Sequence, residues 1–209
     1  MIYDLSHLLH NDSPVYPGTD SPLFEQIASI EKNGYRETSF QFHSHLGTHI
    51  DAPAHMLKDG LTLDKMDVSA FHGKAIIIHV PEETSDIERI FLEPFSKMLE
   101  DAEFVLFRTG WSNFWGQQKY FEEFPVLTTK ALEFLLEFNL KGIGFDTISA
   151  DPVESTDYRN HYTIFKNGLI IIENLIFPDD LKINRGEFSC YPLPYEKADG
   201  SPVRAVIYT

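Results

Sequence analysis

Runs of apolar residues bounded by turn-forming residues predict a chain rich in short β-strands. Such runs cover residues 74–80, 103–108, 143–148, 169–172 and 203–208. Each run is short and dominated by Ile, Val, Leu or Phe, which is typical of strands that are buried in a sheet. The first run ends at Pro81, and the last follows a turn predicted at Asp199-Gly200.

Two segments favour helix instead. Apolar residues spaced three and four positions apart predict a helix from Thr129 to Leu140, which Thr128 or Thr129 can cap. Gly142 lies just past its expected end, as a helix stop commonly does. A second helical segment is predicted from Ile87 to Leu99, with Pro94 starting or kinking a turn.

The order of these elements indicates the fold class. Strands outnumber helices and alternate with them, which predicts an α/β or α+β fold with a substantial sheet. No repeat, low-complexity tract or linker interrupts the chain, so residues 1–209 are expected to form a single domain. With 209 residues, of which 43% are hydrophobic, the chain is long enough to bury a substantial core.

Charge and cysteine content narrow the possible partners. Seventeen basic and 32 acidic residues give a net charge of −15, which disfavours nucleic acid and anionic membrane surfaces. The N-terminal residues lack the features of a signal peptide, and no apolar run is long enough to span a membrane, so a cytoplasmic location is expected. Cys190 is the only cysteine, which excludes an intramolecular disulfide and a thiolate zinc cluster.

Residues 43–55, HSHLGTHIDAPAH, contain four of the nine histidines. In an extended strand His45 and His49 would lie roughly 13 Å apart, whereas ligands of one metal lie roughly 3 Å apart. The chain must therefore fold back between them, and Gly47 permits such a turn. With Asp51, these histidines form a donor set that suits zinc or manganese and leaves positions open for water. A histidine-rich surface loop is the alternative interpretation.

The pattern His-x-Gly-Thr-His-x-Asp-x-Pro-x-His, which residues 45–55 match at every fixed position, resembles the signature of the metal-dependent cyclase family. That family includes bacterial kynurenine formamidase and isatin hydrolase. Further segments of the chain resemble the family at residues 4–7, 14–18, 108–112, 144–152 and 200–205.

The resemblance implies an α/β fold of the swivelling β/β/α type, with a β-rich mixed sheet core packed by helices. It also implies a hydrolase of a carbon–nitrogen amide bond, similar to arylformamidase, with one or two zinc ions or with manganese. The metal ligands that it implies are His45, His49, Asp51, His161 and Glu173, with Asp51 bridging two ions. It also implies a hydroxide generated at the metal, His55 as the acid–base residue, a small amide substrate that can be aromatic, and a homodimer or homotetramer.

Two other functions stay open at this point: a lactam-opening or cyclising enzyme of the same family, and a metal-binding protein without activity.

The role of several nearby residues is also open. His43 is interpreted as an incidental or supporting imidazole. Trp111 and Trp115 could wall an aromatic substrate, although core packing is the commoner role of such residues. Tyr16 stands where many relatives carry tryptophan, and Cys190 is expected to be a small buried residue.

Overall fold

The computed structural model describes residues 1–81 and 83–208. The strands in these residues are β1 (Ile2–Asp4), β2 (Leu23–Ala28), β3 (Glu37–Gln41), β4 (His49–Asp51), β5 (His72–His79), β6 (Asp86–Ile87), β7 (Phe104–Arg108), β8 (Val126–Leu127), β9 (Gly142–Phe145), β10 (Ile170–Glu173), β11 (Arg185–Ser189), β12 (Gly200–Pro202) and β13 (Val206–Tyr208). The α-helices are α1 (Ile30–Asn33), α2 (Arg89–Leu92), α3 (Ser96–Leu99), α4 (Thr129–Leu135) and α5 (Arg159–Lys166).

Nine of the strands form one mixed sheet in the order β1-β13-β11-β5-β7-β9-β10-β4-β12. The central strands β5, β7, β9 and β10 are parallel, and the strands that flank them are antiparallel. The predicted α/β class with a β-rich mixed sheet is thus confirmed. Because parallel strands share an edge where their carboxyl ends meet, Glu173 at the end of β10 lies at this edge, beside β4.

Both faces of the central sheet are buried, and the residues of each strand alternate between them. In β7, Val105 and Phe107 face a core that α4 and the helices near residue 90 cover, while Phe104 and Leu106 face the opposite core. Parallel strands that are buried on both faces read as continuous apolar runs. This is why the sequence predicts β5, β7 and β10 well.

The helices are shorter than the sequence predicts. The segment predicted to be helical from Ile87 to Leu99 consists of α2, a 3₁₀ turn (Glu93–Phe95) that contains Pro94, and α3, and Ile87 itself lies in β6. Of the two candidate caps, Thr128 is the one that caps α4, because its hydroxyl accepts a hydrogen bond from Ala131 N. However, α4 ends at Leu135, and the remaining apolar residues reach the core through turns.

Four predicted boundaries in the sheet are wrong, and one of them is the start of the last strand, which begins at Val206 instead of Val203. Gly142 does not stop a helix but begins β9, where a Cβ would lie 2.7 Å from Ile170 Cγ1. Strand β9 ends at Phe145 because the next side chain, that of Asp146, turns to accept hydrogen bonds from Thr109 N and Gly110 N. Near the end of the chain, Gly200 lies in β12 instead of a turn.

Strands β2 and β3 form a separate two-stranded hairpin. All five residues of β3 are exposed, and apolar side chains on the hairpin are exposed as well, among them Leu23, Ile27 and Phe40. Within the described residues, none of the helices combines the length and the apolar character needed to cross a bilayer.

Candidate metal centre

The segment that carries the first two predicted ligands reverses direction at Gly47, as the sequence predicts. Gly47 has a φ of +59°, in the left-handed region that favours glycine. His45 precedes the turn and His49 begins β4, and their ring centroids are 5.2 Å apart. A side chain at position 47 would also place its Cβ 2.3 Å from Leu9 Cδ2. Both the backbone conformation and the packing therefore require glycine here.

Asp51 lies between the imidazoles and faces three of them. Its Oδ1 is 2.5 Å from His45 Nδ1 and 3.2 Å from His49 Nε2. Its Oδ2 is 3.8 Å from His161 Nε2. The residue is 1% exposed. Because its two oxygens face different imidazoles, one buried carboxylate can serve two groups of donors.

The second group of donors comes from α5 and β10. The pairing of β10 with β4 places Glu173 directly opposite His49, with 3.5 Å between Oε2 and Nε2. The other oxygen, Oε1, is 3.3 Å from His161 Nε2 and accepts a hydrogen bond from Ala150 N. Donor atoms of Asp51, His161 and Glu173 all lie within 4.8 Å of one another, as do those of His45, His49 and Asp51. The structure thus brings together the five residues that the resemblance implied as ligands.

Each imidazole has its second nitrogen held by an oxygen. His161 Nδ1 is 2.6 Å from Asp151 Oδ2, His45 Nε2 is 3.0 Å from Asp199 Oδ2, and His49 Nδ1 is 2.8 Å from the carbonyl oxygen of Gly47. Such contacts are typical of metal-ligating histidines, because they fix the tautomer and the ring orientation.

Asp151 and Asp199 were not among the residues predicted for the site. From the sequence they are recognised only as a strand end and a turn. Two observations together could have predicted them. Both aspartates lie within or beside segments that resemble the family, and a histidine that binds a metal through one nitrogen needs a hydrogen-bond partner for the other. Local spacing carries no such signal, because Asp199 is 154 residues from His45.

A network of buried hydrogen bonds holds the turn at Gly47 in place. Tyr120 donates a hydrogen bond to Asn174 Oδ1 (2.7 Å), and Asn174 Nδ2 donates one to the Gly47 carbonyl that also faces His49 (2.8 Å). The Thr48 hydroxyl donates to the Asn174 carbonyl at 2.5 Å. Asn174 has a φ of +56°, which few residues other than glycine adopt. This network ties the turn that carries the ligands to the interior of the sheet.

The electrostatics of the cluster favour a cation. Among the described residues, no lysine or arginine pairs with Asp51 or Glu173, whose only ion-pair partners are imidazoles. Burial alone lowers the pKa of His45, but Asp51 and Asp199 outweigh it and raise the pKa to about 10. For His161, burial is likewise outweighed by Asp151 and Glu173, and its pKa is raised to about 10. These carboxylates therefore create a strong demand for positive charge, and nitrogen and oxygen donors without thiolate suit a divalent ion such as zinc or manganese.

His55 lies beside this cluster and outside its two inner groups. It ends the 3₁₀ turn Pro53–His55, whose first position is proline. Its ring centroid is 4.0 Å from that of His45 and 6.4 Å from that of His161. Burial, as the largest contribution, lowers the pKa of His55. A neutral imidazole next to a candidate metal position can accept a proton and return it.

A cavity of about 380 Å³ opens onto these groups. Apart from the donors themselves and His55, it is lined by Tyr16, Thr19, Met56, Ile148, Ser149 and Tyr158. Tyr16 OH is 3.2 Å from the Val153 carbonyl oxygen. The lining combines two aromatic rings and two apolar side chains, so the cavity can accommodate an apolar or aromatic group next to the cluster.

Other residues with open roles lie elsewhere. His43 is exposed and belongs to none of the donor groups. Trp111 and Trp115 belong to an aromatic core cluster with Tyr120 and do not line the cavity, which favours the packing interpretation. Cys190 is buried, as expected, and burial raises the pKa of its thiol.

Known proteins of similar sequence match most of the chain. The model of a family described as "Putative cyclase" matches residues 3–152. The chain is 36% identical over 206 residues to a kynurenine formamidase of Bacillus cereus, covering 98% of this chain and 95% of that protein. It is 35% identical over 207 residues to a kynurenine formamidase of Bacillus thuringiensis, with the same coverage.

Solved structures show the same similarity in three dimensions. Isatin hydrolase A from Labrenzia aggregata, bound to benzyl benzoate, superposes with a TM-score of 0.88 at 26% identity, over 99% of this chain and 92% of that chain. A protein from Bacillus stearothermophilus described as a predicted metal-dependent hydrolase superposes with a TM-score of 0.82 at 25% identity, over 99% and 97% of the two chains.

Proposed function

The chain belongs to the putative cyclase family, and on that premise we propose that it is a metal-dependent hydrolase of carbon–nitrogen amide bonds, similar to arylformamidase. The observation that supports this most strongly is the convergence of five donor side chains on Asp51, with His55 and a cavity of about 380 Å³ beside them. The names of its relatives, kynurenine formamidase above all, point to the same class of bond.

In this proposal, His45, His49 and Asp51 hold one divalent ion, and Asp51, His161 and Glu173 hold a second. Zinc is the metal we propose, with manganese as the alternative, because imidazole and carboxylate suit both. When bound, the metal polarises the amide carbonyl and lowers the pKa of water in its coordination sphere. The cytoplasmic location expected from the sequence stays a prediction.

The chain's own residues handle the proton. His55 is oriented by the turn at Pro53 and faces Asp199 Oδ2 with its Nδ1, at 3.8 Å. Because burial lowers its pKa, His55 is neutral near pH 7 and can take a proton from the attacking water. It then delivers that proton to the departing nitrogen, which would otherwise leave as an unstable anion. Met56 and Tyr158 line the same cavity, where they exclude bulk water from the reacting amide.

We also propose that the protein is a homodimer or homotetramer. Exposed apolar side chains on the β2–β3 hairpin, among them Ile27 and Phe40, support this, because an isolated two-stranded hairpin is marginally stable without a packing partner. Light scattering coupled to gel filtration tests it. A monomer at micromolar concentration would contradict the proposal. Ile27→Ser together with Phe40→Ser should shift an oligomer toward monomer.

The function itself is tested with protein stripped of metal and reconstituted with Zn²⁺ or Mn²⁺. Formate release from N-formylkynurenine or a simpler aryl formamide is the expected activity. His55→Ala should lower kcat by about 10²- to 10⁴-fold, whereas His43→Ala, which removes an exposed imidazole of the same segment, should leave it unchanged. Opening of isatin without hydrolysis of formamides would replace the arylformamidase assignment with lactam hydrolysis. If metal-loaded protein hydrolyses neither, the hydrolase proposal is wrong.

A further inference from the structure

A third group of potential ligands lies at the mouth of the cavity, outside the two groups that share Asp51. It consists of His45, His55 and Asp199, with one nitrogen or oxygen of each within 4.8 Å of the others. We propose that these three residues form a separate, weaker site for a divalent cation, through which excess metal inhibits the enzyme. The inhibitory consequence rests on the acid–base role proposed for His55, while the binding itself does not.

Geometry separates this outer group from the inner ones. His45 faces Asp51 with Nδ1, at 2.5 Å, and faces Asp199 Oδ2 with Nε2, at 3.0 Å. The two nitrogens of an imidazole point in different directions, so an ion at Nε2 is distinct from an ion at Nδ1. His55 adds its Nδ1, 3.8 Å from the same oxygen of Asp199.

The carboxylate of the outer group is held in place. Ser44 donates a hydrogen bond from its hydroxyl to Asp199 Oδ2 at 3.3 Å, and Tyr195 OH lies 3.3 Å from Asp199 Oδ1. Two imidazoles and a carboxylate are the donor set that the first inner group offers as well, and both zinc and manganese accept it. The net charge of −15 further favours cations over anions at this surface.

Exposure makes the outer group the weaker and faster-exchanging site. The side chains of His45, His55 and Asp199 are 22%, 28% and 43% exposed, whereas those of His49, Asp51, His161 and Glu173 are between 2% and 6% exposed. A cation that binds at His45 Nε2 must also displace the proton on that nitrogen, which is released to solvent. Both features predict an affinity below that of the buried groups.

Occupation of the outer group has a functional consequence. A cation that takes the lone pair of His55 Nδ1 pins the imidazole at the rim of the cavity. The ring then no longer turns freely toward the substrate, and proton transfer to the departing nitrogen is lost. Activity should therefore rise as the inner groups fill with metal and fall again at higher metal concentration.

The binding test is equilibrium dialysis of the full chain against a series of free Zn²⁺ concentrations. At saturating zinc, Asp199→Asn and His55→Ala should each bind one ion fewer per chain than the wild type, while the tightly bound ions stay. Glu187→Gln is the matched control, because Glu187 is also 43% exposed and also faces an imidazole, that of His72 at 3.6 Å, outside this region. It should bind as many ions as the wild type.

The activity test follows the inhibitory limb of the zinc dependence. Asp199→Asn should raise the zinc concentration for half-inhibition by at least about tenfold, relative to its own maximum activity. Equal ion counts in the wild type, Asp199→Asn and His55→Ala would overturn the proposal, and so would loss of every bound ion in either variant. A uniform loss of activity in Asp199→Asn at all zinc concentrations, with an unchanged ion count, would show that Asp199 only orients His45. Because dialysis needs no substrate, its result stands even if the protein hydrolyses no amide.

Discussion

His45 and His49 are four residues apart and face the same carboxylate, yet the protein holds them in different ways. His49 is 2% exposed, and its Nδ1 faces a backbone carbonyl that Asn174 also fixes. His45 is half-buried, and its Nε2 faces Asp199, a side chain that is 43% exposed. An imidazole held by buried backbone cannot move without local unfolding, whereas one held by an exposed side chain can move with a rotamer change. We therefore expect the inner side of the centre to set where metal lies and the outer side to set how the site exchanges with solvent.

We expect the largest effect from a substitution of Asp51, which belongs to both inner groups of donors. Asp51→Asn keeps the size of the side chain but removes the charge that faces three imidazoles. We expect loss of nearly all bound metal, measured by elemental analysis after dialysis, and a decrease in kcat/KM of at least about 10³-fold, or about 4 kcal/mol. Asp199→Asn should keep the tightly bound metal. If Asp51→Asn retained the wild-type metal content, the shared role of this carboxylate would be wrong.

A smaller effect is expected at Asp151, the inner counterpart of Asp199. Asp151 is buried and accepts hydrogen bonds from Asn160 N and His161 N, and it lies 2.6 Å from His161 Nδ1. Asp151→Asn should weaken metal binding by about 10- to 100-fold, measured by competition with a chromophoric chelator. Asp157→Asn, which changes an exposed carboxylate of the same loop, serves as the control. Equal affinities in the two variants would mean that Asp151 does not orient the ligand.

The buried network beneath the turn should contribute to stability even without metal. Tyr120→Phe removes one hydroxyl and leaves Asn174 Oδ1 without its donor. We expect the free energy of unfolding of chelator-treated protein to fall by about 1–3 kcal/mol, measured by urea denaturation. Tyr208→Phe removes a hydroxyl at the far end of the sheet and should change this free energy much less. A similar loss in both variants would show that the network is not specifically stabilising.

The stability of the fold should also depend on pH, through a partly buried histidine outside the donor groups, His7. Burial lowers the pKa of His7, whose ring stacks on Trp115 at 3.9 Å, from 6.5 to about 4. The His7 imidazole therefore binds a proton more readily in the unfolded chain than in the folded one. Its contribution to the free energy of unfolding is fully present above pH 6.5 and is lost as pH falls toward 4. The loss amounts to about 3 kcal/mol.

His7→Phe keeps the stacking and removes the titration. Between pH 6.5 and 4, the stability of the wild type relative to this variant should decrease, as urea denaturation at a series of pH values would show. A constant difference across this range would contradict the assignment.

The sequence predicts the inner side of this centre far better than the outer side. His45, His49 and Asp51 fall within one short segment, and Gly47 marks the turn that gathers them, so local reasoning suffices. His161 and Glu173 are found only through the family resemblance, because they come from α5 and β10. Asp199 is missed because its partner lies 154 residues away, and contacts of that kind depend on which strands pair.

The fold follows the same rule. Strands β5, β7 and β10 are predicted because burial on both faces makes them continuous apolar runs. Gly142 is misread as a helix stop because its real constraint, close packing against Ile170, belongs to a neighbouring strand. Helix α4 is predicted five residues too long, since turns also bring apolar side chains to a core. Local patterns therefore predict the central parallel strands and helix α4, whereas elements without a continuous apolar run, such as β4 and α5, are missed and tertiary contacts decide where each element ends.

Gly200 has no side chain, and its backbone packs against the imidazole ring of His45. Any side chain at this position would place its Cβ 2.5 Å from Cε1 of the His45 ring, closer than two non-bonded carbon atoms can approach. In a saturation mutagenesis library selected for activity, position 200 should therefore tolerate as little variation as the histidines do. Engineering of new substrate preferences in this enzyme is better directed at Met56 or Ile148, whose side chains line the cavity without being among its metal-ligand candidates.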